Sequence, residues 1–289
     1  LVPRRSSIRS RQDVSLKTRL TTNIEIDLPI LAANMDTVCE QEMAIAIASL
    51  GGVGILHRFM TVESQARMVE NIKNASSSFV AGAAIGTDHD ALVRSKALID
   101  AGVDVLVLDI AHGHAEHAIN ALKELKNSFP DTDVIAGNVA TQAGAEDLYE
   151  AGADAIKVGV GPGGVCTTRL VAGVGVPQLT AIFSASEIPI PVIADGGIKT
   201  SGDIAKAIAA GADSVMIGSM FAGTKESPGE VESSPKGLVK RVRGMASFEA
   251  IEARAIRTGE LIDDEYFEQR APEGVEGVVP YKGEVAKLI

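Results

Sequence analysis

The stretch Lys157-Val-Gly-Val-Gly-Pro-Gly-Gly-Val-Cys-Thr-Thr-Arg169 sets Cys166, one of only two cysteines, in a glycine-rich turn beside two hydroxyls and an arginine. A thiolate attacks electron-poor carbon, and a neighbouring hydroxyl can relay protons. Glycines let backbone N–H and C=O groups approach an anion or a cation. A lone cysteine in an apolar chain is usually a small core residue. Gly161, Gly163, Gly164, Thr167, Thr168 and Arg169 are not neighbours that a core strand takes, so Cys166 reads as a nucleophile. Cys39, at the start of a helix-like run, reads as structural.

Other polar groups extend this chemistry. Asp195-Gly-Gly197 and Gly218-Ser219 end two late apolar runs, where backbone N–H groups would hold a phosphate. Asp195 beside a phosphate suits an uncharged partner such as ribose hydroxyls. Asp109-Ile-Ala-His-Gly-His114 matches common zinc spacings poorly. It reads as polar packing or, preferably, as a group that orients a bound cofactor.

The elements that must position these residues follow a βαβ rhythm. Apolar runs at 30–34, 53–57, 80–85, 105–110, 134–138, 155–160, 191–194 and 214–217 predict strands. Helices are expected at 41–50, 62–72, 91–101, 116–126, 143–151 and 201–210. Asp100-Ala-Gly-Val-Asp104, Glu150-Ala-Gly-Ala-Asp154 and Ala210-Gly-Ala-Asp213 repeat one device, a glycine that closes a helix just before the next strand. Continuous apolar strands imply burial on both faces. The expected fold class is α/β, a single (β/α)8 TIM barrel over 1–289; an open doubly wound sheet is the alternative. Every polar cluster follows a strand and none precedes one, which places the site on the C-terminal rim. From about residue 222 the rhythm stops. Residues 225–240 read as a loop, 248–256 as a helix and 263–282 as a mobile lid, so 222–283 is expected to be a flap inserted at that rim.

With 289 residues, 46% of them hydrophobic, the chain can bury one large core. A net charge of −11 and 3% aromatics argue against a nucleic-acid partner or an anionic membrane surface. Two cysteines make no disulfide framework, which suggests a cytoplasmic setting. No signal peptide and no uninterrupted apolar run of about 18 residues is seen, so no membrane span is expected.

Gly161-Pro-Gly-Gly-Val-Cys-Thr-Thr-Arg169, Ala33-Asn-Met-Asp-Thr-Val38, Ile193-Ala-Asp-Gly-Gly197, Arg243-Gly-Met245, Pro272-Glu-Gly-Val-Glu-Gly277 and Pro280-Tyr-Lys-Gly283 together resemble the IMP dehydrogenase/GMP reductase family over essentially the whole chain. The resemblance implies a (β/α)8 barrel, usually a homotetramer. It implies a purine nucleoside monophosphate (GMP, IMP or XMP) as ligand and a nicotinamide cofactor, NADPH or NAD. It makes Cys166 the nucleophile toward purine C2, with Thr168 and Glu273 as the proton-handling pair. Asp195 would hold the ribose. Gly197, Gly218 and Ser219 would hold the 5′-phosphate, with Gly164 supplying backbone only where the family usually has serine. Gly244, Met245 and Met35 would meet the nucleotide, and Asp109, Asn138 and Gly159 the cofactor. The carbonyls of Gly161, Gly163 and Cys166 resemble a potassium site.

Ser7-Ile-Arg-Ser-Arg11, Ala32-Ala-Asn-Met-Asp-Thr-Val38, His57-Arg-Phe59 and the Asp109–His114 segment are closer to the reductase, and the regulatory CBS pair is absent. Dehydrogenases carry Arg-Tyr-Phe in the lid, where the arginine activates water; this chain has Glu265-Tyr-Phe267. The expected reaction is therefore reductive deamination of GMP to IMP. The 169–178 segment, Ser227-Pro-Gly229 and the 272–283 stretch look like the dehydrogenase, which leaves oxidation of IMP to XMP as the alternative. A non-catalytic nucleotide-binding barrel is a third reading. Val242 stands where dehydrogenases have a phosphate-binding tyrosine, and the chain stops at Ile289, short of the family's usual C-terminal segment, so truncation is expected.

Overall fold

Eight apolar runs form eight parallel strands: β1 (Ile30–Ala32), β2 (Val53–Leu56), β3 (Gly82–Ile85), β4 (Val105–Asp109), β5 (Asp133–Val139), β6 (Ala155–Val158), β7 (Val192–Asp195) and β8 (Ser214–Ile217). In this computed structural model β8 pairs with β1, from Val215 opposite Ile30 to Ile217 opposite Ala32, so the sheet closes and the open-sheet alternative falls. The structure describes every residue except Pro3, Asp263, Asp264, Phe267, Glu268 and Arg270.

Strand parity divides the core. Leu31, Ala33, Val53, Ile55, Val105, Val107, Ile135, Ala155 and Ile193 pack in one cluster that fills the lumen. Their sequence neighbours Ile30, Ala32, Leu56, Leu106, Leu108, Val134 and Ile156 belong to a second cluster, shared with the surrounding helices. Those helices are α1 (Gln41–Ser49), α2 (Val62–Ala75), α3 (Ala91–Asp100), α4 (Glu116–Ser128), α5 (Gln142–Glu150), a short α6 (Thr168–Val171), α7 (Gln178–Ala185), α8 (Ser201–Ala209), a short α9 (Ser219–Ala222) and α10 (Phe248–Thr258). No helix among the described residues is long and apolar enough to cross a membrane.

The repeated glycine device does more than turn the chain. Gly102, Gly152 and Gly211 have φ of 90°, 102° and 113°, which a side chain would strain. The aspartate two residues later then accepts the backbone N–H of the neighbouring strand's base: Asp104 from Ala81 (2.7 Å), Asp154 from Val134 (2.8 Å) and Asp213 from Val192 (2.9 Å). Asp133 adds hydrogen bonds from Thr21 and from Asn23, the latter at 2.8 Å, beneath the barrel. Polar residues therefore also precede strands, contrary to the sequence expectation. Those acids lock strand ends together, while the C-terminal rim carries the chemistry.

Residues 225–240, expected as a loop, contain β9 (Glu232–Ser234) and begin β10 (Gly237–Arg243). The 263–282 stretch contains β11 (Glu276–Pro280), which pairs antiparallel with β10 from Arg243 opposite Glu276 to Val239 opposite Pro280. Arg241 joins Glu232 and Glu276, each at 2.7 Å, across this sheet. Charged faces of this kind leave no apolar signature to read.

Candidate functional site

Asp109, Lys157 and Asp195 each lie two residues beyond a lumen-facing residue of their strands: Val107, Ala155 and Ile193. Parity therefore turns all three inward at the top of the barrel. Lys157, 2% exposed, donates to Asp109 Oδ1 at 2.8 Å, to Asp195 Oδ2 at 2.9 Å and to Asn138 Oδ1. A register irregularity between Gly137 and Val139 lets Asn138 join them. Its amide donates to Gly159 O (2.8 Å) and Asp195 Oδ2 (2.9 Å). Asp109, Asn138, Gly159 and Asp195, chosen separately from sequence, thus form one network around Lys157.

Sequence reasoning missed Lys157 because a single charge in an apolar strand resembles a filler; its signal was its place two residues after lumen-facing Ala155. Burial alone would push the Lys157 ammonium down, but Asp109 and Asp195 outweigh it and hold the group above the ordinary lysine value. Burial likewise opposes ionisation of Asp109. Lys157, with help from Arg58 and Asn34, holds that carboxyl below its ordinary value.

Cys166 lies in the turn between β6 and α6, with Sγ 3.2 Å from Thr168 Oγ1. Three chain segments are laced together there. Val275 N–H donates to Val165 O (3.0 Å), Thr167 N–H to Glu273 O (2.9 Å), Gly244 N–H to Val275 O (3.1 Å) and Glu273 N–H to Ala246 O (3.2 Å). Cys166 and Gly274 form an antiparallel bridge. This brings Glu273, about a hundred residues later in sequence, beside the cysteine turn, although no hydrogen bond among the described residues joins its side chain to Thr168. Thr167 Oγ1 is buried without a partner among the described residues. Arg169 turns away and donates to Val176 O (2.6 Å) and Val160 O (3.3 Å), stapling the loop.

Arg243 holds the buried Asp36 with Nε 3.0 Å from Oδ2, which fixes the 243–245 segment to the loop after β1. Met245 Sδ accepts the Asp36 N–H at 3.4 Å. A cavity of about 300 Å³ is lined by Met35, Gly163, Gly164, Val165, Asp195, Gly197, Gly218 and Ser219, with Lys199 and Lys282 beside them. Cys166, Gly244 and Met245 are not among its lining residues. Neither lysine was singled out from sequence. Gly161 joins the cysteine turn at its other end, where its backbone lies close to the Arg169 side chain. A separate groove of about 430 Å³ between α4 and α5 holds none of the predicted residues. His114 Nε2 lies 2.6 Å from Asp147 at the edge of that groove. Cys39 is fully buried, and burial pushes its thiol far up, so it is inert.

Residues 1–289 match the family model described as the IMP dehydrogenase / GMP reductase domain. The inosine-5′-monophosphate dehydrogenase of Cryptosporidium parvum is 43% identical over 100% of this chain and 82% of its own length. The GMP reductase of Leishmania donovani is 36% identical over 100% of this chain and 86% of its own. A crystal structure of a cysteine-to-alanine GMP reductase from Trypanosoma brucei, in complex with guanosine 5′-monophosphate, superposes with a TM-score of 0.91 at 33% identity. It covers 99% of this chain and 87% of that one. Barrel, cysteine turn and whole-length similarity agree, and the chain belongs to the IMP dehydrogenase/GMP reductase family of oxidoreductases.

Proposed function

We propose that the chain is a GMP reductase, which converts GMP to IMP and ammonia with NADPH as reductant. The observation that carries the choice of reaction is Glu265, at the lid position where dehydrogenases have an arginine. A carboxylate cannot reproduce a guanidinium. Arg169 of the cysteine turn and Arg243 of the segment laced to it are engaged elsewhere, Arg169 on two carbonyls and Arg243 on Asp36. Phe267 of the same motif and Arg270 lie outside the described residues.

In this reading the Cys166 thiolate adds to C2 of the guanine. Thr168, 3.2 Å from the sulfur, and Glu273, brought to the turn by the Thr167 N–H, protonate the 2-amino group as its bond to C2 breaks and ammonia leaves. Positioned proton transfer of this kind contributes about 10²–10⁴ in rate. A bound reduced nicotinamide supplies the hydride that replaces the amine at C2. The C2–S bond then breaks, its electron pair returns to Cys166, and IMP is released.

The network around Lys157 fits a dinucleotide. Asp109 is held ionised by Lys157, with Asn34 and Arg58 assisting, and a carboxylate has further lone pairs that ribose hydroxyls could use. Asn138 and Gly159 complete that rim, and Asp195 faces the nucleotide cavity. The neutral carbonyls of Gly161, Gly163 and Cys166 suit a monovalent cation such as potassium. Gly163 O accepts the Cys166 N–H at 3.2 Å and keeps a second lone pair. Residues 222–283 act as the flap of a single barrel domain. The protein is a cytoplasmic homotetramer through the exposed apolar surface of Leu170, Val171, Val174, Leu179 and Phe183.

Oxidation of IMP to XMP is the second reading, favoured by the 43% identity to a dehydrogenase. Glu273→Gln separates the steps. Loss of ammonia release with GMP still bound supports the reductase mechanism; unchanged release removes Glu273 from it.

A further inference from the structure

Lys199 and Lys282 belong to none of the assigned roles, yet they line the same cavity as Gly197, Gly218 and Ser219. Lys199 follows the Asp195-Gly-Gly197 turn. Lys282 follows β11; its backbone N–H is fixed to Gly223 O at 2.8 Å, and among the described residues its Nζ donates only to Met220 O at 3.3 Å. Neither makes an ion pair among the described residues, whereas Arg58, Lys73, Arg94, Lys126 and Arg243 are all paired. Two unpaired ammoniums at one cavity are notable in a chain of net charge −11.

The cavity has one lining carboxylate, Asp195, and Lys157 and Asn138 already engage its Oδ2. Positive charge therefore stays uncancelled there. Hydroxyl donors are scarce: among the described residues, Ser219 is the only hydroxyl-bearing one in the lining. Gly164 offers no side chain, and a Cβ there would stand 3.0 Å from Ser219 Oγ.

Building on the reading that this cavity takes a purine nucleotide, we propose that Lys199 and Lys282 bind its phosphate monoester dianion. In doing so they set the preference for nucleotide over nucleoside. Two ammoniums replace hydroxyl contacts with charge-assisted hydrogen bonds, the stronger kind.

The test is calorimetric titration of wild type, Lys199→Met, Lys282→Met and the double variant with GMP, guanosine, NADPH and inorganic phosphate. Arginine variants and circular dichroism control for folding. GMP affinity should fall about tenfold per methionine substitution, with guanosine and NADPH unchanged and most of the loss restored by arginine. Unchanged GMP affinity, or an equal loss for guanosine, overturns the proposal. A loss confined to NADPH also overturns it and moves the lysines to the cofactor's pyrophosphate. If the wild type binds no purine nucleotide, the functional reading fails separately. Inorganic phosphate then decides: binding lost in the double variant keeps the anion site, and no binding by wild type removes it.

Discussion

Removing the ammonium of Lys157 would leave Asp109 and Asp195 facing each other at the top of the lumen. Uncompensated buried charge of this kind costs about 3–5 kcal/mol, so Lys157→Met should lower stability by that order. The pH dependence follows from the sign of the shifts. Asp109 sits below its ordinary value in the folded protein, so its contribution is present above the unfolded carboxylate pKa and is lost as pH falls through the folded one. Lys157 sits above its ordinary value, so its contribution is complete below the unfolded lysine pKa and is lost as pH rises through the folded one. Wild type should therefore show a plateau across neutral pH. In Lys157→Met the two carboxyls resist ionisation, so acidification relieves the defect. The difference in melting temperature between variant and wild type should narrow from about pH 8 to about pH 5, and a constant gap would contradict the network. Cys166→Ala should abolish turnover while GMP binding persists; residual turnover would exclude the thiol as nucleophile. Cys166, Asp195 and Asp109 were legible in sequence because each breaks a glycine-rich or apolar context. Lys157 was not, since only the closed barrel shows that three strands point polar groups at one spot.

At the scale of elements, the cysteine turn has no fixed shape without the segments laced to it. Gly274 sits at a close approach in that lacing: a Cβ there would lie 3.0 Å from Ser247 N and 3.2 Å from Gly244 Cα. Gly274→Ala should push the 273–275 segment off the turn, with a cost of about 1–3 kcal/mol. Its turnover should fall more than its nucleotide affinity, as steady-state kinetics beside direct titration would show. Equal losses would mean that the lacing serves folding alone. The barrel strands were legible because burial on both faces leaves uninterrupted apolar runs, and the helix ends because Ala-Gly-Val-Asp and Ala-Gly-Ala-Asp punctuate them. The helix α7 escaped, being only eight residues long and introduced by Pro177. The β9–β10–β11 sheet escaped because its third strand joins from more than thirty residues away and its surface is carried by charge pairs such as Arg241 with Glu276.

Over the whole molecule, two features ask for partners. Leu170, in α6 just after the cysteine turn, is 86% exposed, and Phe183, in α7, is 66% exposed, apolar side chains that a subunit contact would take out of water. If this surface joins four subunits as proposed, wild type should have a tetramer's mass in light scattering and replacing both with aspartate should lower it; a wild-type monomer, or an unchanged mass in the variant, would contradict that proposal. The second feature is the cavity and network at the barrel mouth, whose chemistry the nicotinamide absorbance band reads directly. Incubated with GMP and NADPH, the protein should consume that band and release ammonia and IMP. Incubated with IMP and NAD, it should leave the band flat. Growth of the band with IMP and NAD, together with XMP and no consumption with GMP, would contradict the account.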